Sequence, residues 1–159
     1  MLIRHRLPLA GLVAGTVLAL SGTAFAGSCP ADKVVADGQG QKPSAAAAKE
    51  VTDVVLGSID LATQPVDVQD RHFRMRRLGI KPGGVVPWHS HDDRPALIYV
   101  AVGEVTEYAS NCAVPIVHYP GEVAEETKGT SHWWQNTGKT TAVLISADLL
   151  HQTDDAHTM

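Results

Sequence analysis

His89 and His91 stand two residues apart in Trp88-His89-Ser90-His91. On an extended strand, residues i and i+2 project from one face, so the two imidazoles can converge on one point. Neutral imidazole is the commonest protein ligand for transition metals, and two on one face make half of a mononuclear site. Taken alone, the pair reads equally well as two surface histidines. Other chemistries find less support. Ser90, between the two imidazoles, is poorly placed as a nucleophile, and no G-x-S-x-G elbow is present. The sequence has no phosphate-binding glycine loop and no H-E-x-x-H. No second carboxylate can be placed for glycosidase acid–base work.

The surrounding sequence must position these residues. From Val51 onward, short runs (Val54–Leu61, His72–Ile80, Ala96–Tyr108, Val114–Tyr119, His132–Asn136 and Thr140–Leu149) are separated by Pro82-Gly83-Gly84, Gly103, Pro120-Gly121, Gly129 and Asn136-Thr137-Gly138. Short strands at near-regular spacing, with no amphipathic helix of three turns between them, predict an all-β barrel or sandwich. The 159 residues fit one domain, and 44% hydrophobic content is enough for a core. With 13 basic against 17 acidic residues, the net charge is -4, so no basic surplus is available for a phosphate backbone, and nucleic acid is not an expected partner. Two cysteines exclude a thiolate zinc cluster.

Two spacings tie the histidines to the turns. The first runs Gly83, five residues, His89, one residue, His91, and on to Gly103. The second runs Gly121, five residues, Thr127, one residue, Gly129, two residues, His132, three residues, Asn136. Together they resemble the two signature motifs of the cupin superfamily, G-x5-H-x-H-x3,4-E-x6-G and G-x5-P-x-G-x2-H-x3-N. The resemblance spans about Val51 to Leu150. It implies a cupin-type double-stranded β-helix, a jelly-roll barrel, holding one divalent transition metal (iron, zinc, copper, manganese or nickel) on His89, His91 and His132. It also implies a small-molecule ligand and pairing of copies through sheet edges.

Two positions depart from the family pattern. Thr127 stands where the family has Pro. More consequentially, the motif-one glutamate falls at Pro95 or Ala96, with the step to Gly103 favouring Ala96, so no carboxylate has the family spacing. Asp93 is the nearest candidate to bend in from the loop. Three neutral imidazoles leave a divalent ion with its full charge, a stronger Lewis acid with an open face. Within the cupins such a centre resembles the cysteine and diketone dioxygenases, which bind substrate and dioxygen at iron. The expected function is accordingly an oxidoreductase of dioxygenase type acting on a small anionic or chelating substrate. The alternatives are a non-catalytic metal- or small-molecule-binding cupin, or a redox-inert lyase or isomerase.

Around the proposed ligands, strand alternation puts Trp134 on the face of His132 and Trp133 on the opposite one, and puts Tyr99 away from Ala96, Ile98 and Val100. Trp134 is therefore a candidate pocket wall, or simply core. Arg94 is a candidate for a substrate carboxylate, or the partner of a neighbouring Asp. Arg74 and Arg76 share one face of their strand. His118 reads as a packed or surface histidine.

The termini point to export. Arg4, His5 and Arg6 precede an uncharged run, Leu7 to Leu20, and Ala24-Phe25-Ala26, the order of a secretory signal peptide over residues 1–26. The run is shorter than the roughly 20 apolar residues of a membrane span, so no transmembrane segment is expected after processing. Residues 27–50 read as a loose tail, with a short helix-prone stretch at Pro43 to Glu50, then the barrel at 51–151 and a C-terminal tail at 152–159. A periplasmic or extracellular location favours a Cys29–Cys112 disulfide that pins the N-terminal tail. Lipidation at Cys29 is the lesser alternative, because no aliphatic residue stands three positions before it.

Overall fold

The computed structural model describes residues 27–154. The expected signal segment lies outside the described residues, as do the last five positions. Eight strands carry the fold: β1 (Lys49–Asp60), β2 (Arg71–Ser90), β3 (Ala96–Val102), β4 (Val105–Ala109), β5 (Ile116–His118), β6 (Val123–Glu126), β7 (Ser131–Gln135) and β8 (Ala142–His151). All pair antiparallel, in the order β5-β4-β7-β2-β8-β3-β6 with β1 added on β2, and the sheet curls into a nearly closed barrel. The only helical elements among the described residues are single 3-10 turns, at Ala31–Lys33 and Leu61–Thr63. This is the all-β, double-stranded β-helix that the sequence predicts. Pro43 to Glu50 forms no helix, and its last two residues open β1.

The strand pattern differs from expectation in three places, each with a local cause. β2 does not stop at Pro82-Gly83-Gly84. Its first half pairs with β8 from Arg71 to Ile80, and its second half pairs with β7 from Val85 to Ser90. The Pro-Gly-Gly step is a barrel corner within one strand, stitched by Gly83 N–H to Asn136 O and Asn136 N–H to Gly84 O. The Ala96–Tyr108 run breaks into β3 and β4 at Gly103, whose φ of 72° a side chain rarely adopts. A Cβ there would also lie 2.9 Å from the Ala142 Cα. Finally, Val123–Glu126 is a strand on the β3 edge that sequence reading passed over, being only 4 residues long.

Alternation sorts the side chains. In β3, Ala96, Ile98 and Val100 point inward while Leu97 and Tyr99 point out. In β8, Ala142, Leu144, Ser146, Asp148 and Leu150 face inward. The core of Leu78, Ile80, Val86, Ile98, Val100, Val105, Ala124, Trp134, Ala142 and Leu144 fills the centre of the barrel.

The N-terminal segment is fastened to that barrel. Cys29 and Cys112 form the expected disulfide, with Cα atoms 5.8 Å apart. The segment then follows the turn after β4 through backbone hydrogen bonds, among them Val35 N–H to Asn111 O and Gly40 N–H to Ser110 O. Closing a loop of this length restricts the unfolded chain and stabilises the fold by roughly 3–5 kcal/mol.

Candidate metal centre

His89 is the second-last residue of β2, His91 lies one position past its end, and His132 is the second residue of β7. β2 and β7 run antiparallel with His89 opposite His132. His91 has left the strand, yet its N–H donates to Thr130 O at 2.9 Å, which holds it against the same partner. The three imidazoles therefore meet. The His132 Nε2 lies 3.0 Å from the Nε2 of His89 and 3.0 Å from that of His91.

What fixes the rings is on their far sides. The Nδ1–H of His89 donates to Pro87 O at 2.9 Å, that of His91 to Arg94 O at 2.8 Å, and that of His132 to Glu107 Oε1 at 2.7 Å. A carbonyl or carboxylate oxygen only accepts, so each Nδ1 carries the proton and each Nε2 bears a lone pair. Burial, reinforced by the neighbouring His132, holds the His89 pKa well below its ordinary value and pushes that of His91 down to about 3. Lone pairs this close repel one another unless a cation lies between them. Two nitrogens that share one divalent ion sit about 3.3 Å apart, close to the 3.0 Å that separates the His132 Nε2 from each of the other two. The donor set fits a divalent transition metal, and His89, His91 and His132 form a group able to hold one.

Two buried polar clusters flank this group. On one side Glu107 is 4% exposed and bridges His132 Nδ1 and His118 Nε2, the latter at 2.9 Å. Burial alone would raise its pKa, but the hydrogen bonds from His118 and His132 overcome that and hold it down to about 2. Glu126, also buried, lies 3.4 Å from His132 Nδ1. Burial and then the Glu107 charge push its pKa far up, so Glu126 is the protonated member of the pair. Glu107, Glu126 and His132 are a second group able to hold a metal. There, however, the His132 Nδ1 is already spent on Glu107, whereas the three Nε2 atoms face one another. Behind the carboxylates lies a polar cavity of about 210 Å³ roofed by Gly27, Ser28 and Cys29 of the pinned N-terminal segment.

On the other side Asp148 accepts from Arg74 Nε at 2.9 Å and from Arg94 Nη1 at 2.7 Å, with Arg76 Nη2 at 3.7 Å. Arg76 Nη1 donates to Asp53 at 2.7 Å. Burial and the adjoining Arg74 charge lower the Arg76 pKa. Between this cluster and the imidazoles is a cavity of about 20 Å³ lined by Arg76, His89, His91, Trp134, Ser146 and apolar side chains.

The sequence-derived candidates fall out as follows. Trp134 is buried and lines the cavity, its Nε1–H edge 3.2 Å from both ring nitrogens of His132. Trp133 faces the other way and stacks on Tyr108 at 3.9 Å. Arg94 is buried and held by Asp148, rather than by the adjacent Asp92 or Asp93. Asp93 does not bend in. It is exposed and pairs with Arg71 at 2.9 Å and with His151. Ala96, in the motif-one glutamate position, is buried and offers no ligand. Sequence reading missed Glu107, Glu126 and Asp148 because a lone acid in a short strand has no motif. A signal was available in β8 and β2: Ser146 and Asp148 share the inward face of an otherwise apolar run, and Arg74 and Arg76 share the face opposite them.

Comparison with known proteins agrees with this geometry. The family model described as cupin domain matches residues 76–148. No curated protein matches the chain. Among solved structures, a Klebsiella pneumoniae protein with a double-stranded beta-helix domain is similar at 18% identity and a TM-score of 0.53, over 72% of this chain and 86% of that one. The Schizosaccharomyces pombe Cnp3 cupin domain is similar at 12% identity and a TM-score of 0.50, over 69% of this chain and 66% of that one. A predicted oxalate decarboxylase from Thermotoga maritima follows at 18% identity and a TM-score of 0.47, over 66% and 98%. At such identities the likeness is one of fold. The family match over residues 76–148 makes that stretch a cupin domain, in agreement with the two signature spacings and the barrel topology.

Proposed function

We propose that this is an exported metal-binding cupin with a mononuclear centre on His89, His91 and His132, acting as an oxidoreductase of dioxygenase type on a small anionic substrate. One observation carries the reading: three imidazoles, each with its Nδ1–H anchored, turn their Nε2 lone pairs on one point. A divalent ion held there supplies a Lewis acid for an anionic ligand and, if redox-active, a means of activating dioxygen. The chain's own part is to keep the rings neutral and oriented, to wall the ion with Trp134, Val86, Ile98 and Leu144, and to place positive charge beside it.

A second reading, a metal-binding barrel without turnover or a redox-inert Lewis-acid lyase or isomerase, draws support from the small size of the cavity, about 20 Å³. The disulfide supports export, and no described helix is long and apolar enough to cross a membrane. The outward face carrying Phe73, Met75, Leu97 and Tyr99, each more than 40% exposed, supports a homodimer.

The test is metal content, by mass spectrometry, of untagged protein recovered from the periplasm without added metal. About one iron or copper per chain, with oxygen uptake on beta-diketones, thiols or flavonols, supports the oxidoreductase; one zinc and no uptake supports the second reading. His89→Ala abolishes metal binding, and undiminished metal content in that variant overturns the ligand assignment.

A further inference from the structure

Arg76 is 4% exposed and lines the small cavity together with His89, His91, Ser146 and Trp134. Two of its nitrogens are engaged, Nη1 on Asp53 at 2.7 Å and Nη2 facing Asp148 at 3.7 Å. Among the described residues its Nε–H has no hydrogen-bond partner. A buried charged donor with nothing to accept from it is unfavourable, and native structures leave few such groups unfilled. Arg74 and Arg94 add positive charge beside Arg76, both on Asp148.

The space limits what can accept. A buried water needs about 10–15 Å³, so a cavity of about 20 Å³ takes one or two water-sized atoms beside the ion. Its remaining walls, Leu78, Val86, Ile98 and Leu144, are apolar and strengthen any charge-assisted hydrogen bond formed there.

We infer that Arg76 is an anion-binding residue of the metal centre, its Nε–H donating to the outer atom of a small inorganic anion whose inner atom takes the metal's open position. This rests on the metal reading above and narrows it: the ligand class is a compact linear or bent anion, not a ring-bearing carboxylate.

The test uses full-length processed protein loaded with cobalt(II). Azide is titrated while the visible cobalt bands and the metal stoichiometry are followed, so the readout is binding and not turnover. Arg76→Lys keeps a positive charge for Asp53 and Asp148 but removes the Nε–H, and is expected to weaken azide by about tenfold with cobalt content unchanged. Arg76→Met combined with Asp53→Asn removes the ion pair as a unit and is expected to weaken it by about ten- to a hundredfold. In the unaltered protein, benzoate at the same concentrations leaves the cobalt bands unmoved. Azide affinity equal to the unaltered protein's in either variant, or benzoate binding as tightly as azide, overturns the inference. Failure to bind cobalt at all overturns the metal reading and the inference with it, whereas full cobalt content with arginine-independent azide binding overturns the inference alone.

Discussion

The two polar clusters beside the imidazoles are built oppositely. Glu107 and Glu126 bring two carboxyl groups together, and the repulsion is relieved by a proton on Glu126 and by N–H donors from His118 and His132. Around Asp148 the gathered groups are guanidinium, and no proton transfer can adjust their charge because arginine does not release one in proteins. The carboxylate side can adjust its charge, and the arginine side cannot. Negative charge reaches His132 from behind, through its Nδ1, and an ion held on the three imidazoles would have its open face toward the arginine side.

The arginine cluster is most sensitive at Asp148. Asp148→Asn takes the buried carboxylate on which Arg74 and Arg94 converge, while the arginines keep their charge. Removing one partner from a buried ion pair costs about 3–5 kcal/mol, so this variant unfolds at markedly lower denaturant concentration than the parent. An equal midpoint would mean that the arginines are balanced elsewhere.

Glu107→Gln acts on the other cluster and on a different quantity. It keeps the size of the side chain but loses the carboxylate that orients His132, and is expected to weaken metal binding about 10–100-fold in a chelator competition. Because the anchors of His89 and His91 are backbone carbonyls, no substitution removes them so directly.

The pH dependence separates metal-free from loaded protein. The pKa values of His89 and His91 are depressed on folding, so the unfolded chain binds more protons. Their contribution to stability is fully present above about pH 6.5 and is lost as pH falls toward the His91 value of about 3. Each such histidine contributes a slope of about 1.4 kcal/mol per pH unit at most within that window. Thermal melts of metal-free protein at pH 7, 6 and 5 should therefore fall steadily. Saturating metal at pH 7 raises the melting temperature, and that increment shrinks with acidity as protons compete for Nε2.

How much of this was legible beforehand follows from the range of each signal. Alternation placed Tyr99 and Trp133 outward and Trp134 inward because it depends only on neighbours along one strand. The convergence of His89, His91 and His132 was legible only through motif spacing, since β2 and β7 are far apart in sequence and their register is a tertiary fact. Arg94 shows the limit. Its local acids, Asp92 and Asp93, were the obvious partners, but the buried Asp148 across the barrel holds it, while Asp93 spends its charge on Arg71 and His151 at the surface. Glu107 and Glu126 were unreadable for the same reason, because what makes them matter is the histidine each reaches on another strand.

The smallest expected effect is the most discriminating. Glu126 is the carboxyl group whose pKa burial and the Glu107 charge push up, so it already stands neutral beside Glu107. Its sign is the reverse of the histidines': the stability it lends is fully present below about pH 4.5, the ordinary carboxylate range, and is lost as pH rises toward its higher folded value. Glu126→Gln replaces a neutral acid with a neutral amide of the same shape that still offers a donor to Glu107. Metal affinity in the chelator competition should change by no more than about twofold, against the 10–100-fold of Glu107→Gln, and the stability should rise slightly at neutral pH, where the amide has no proton to lose. If Glu126→Gln instead weakens the metal as severely as Glu107→Gln, both carboxylates are ionised in the loaded protein. The charge behind His132 would then be two units, and the contrast between an adjustable and a fixed side of the site would have to be redrawn around an ion held on Glu107, Glu126 and His132.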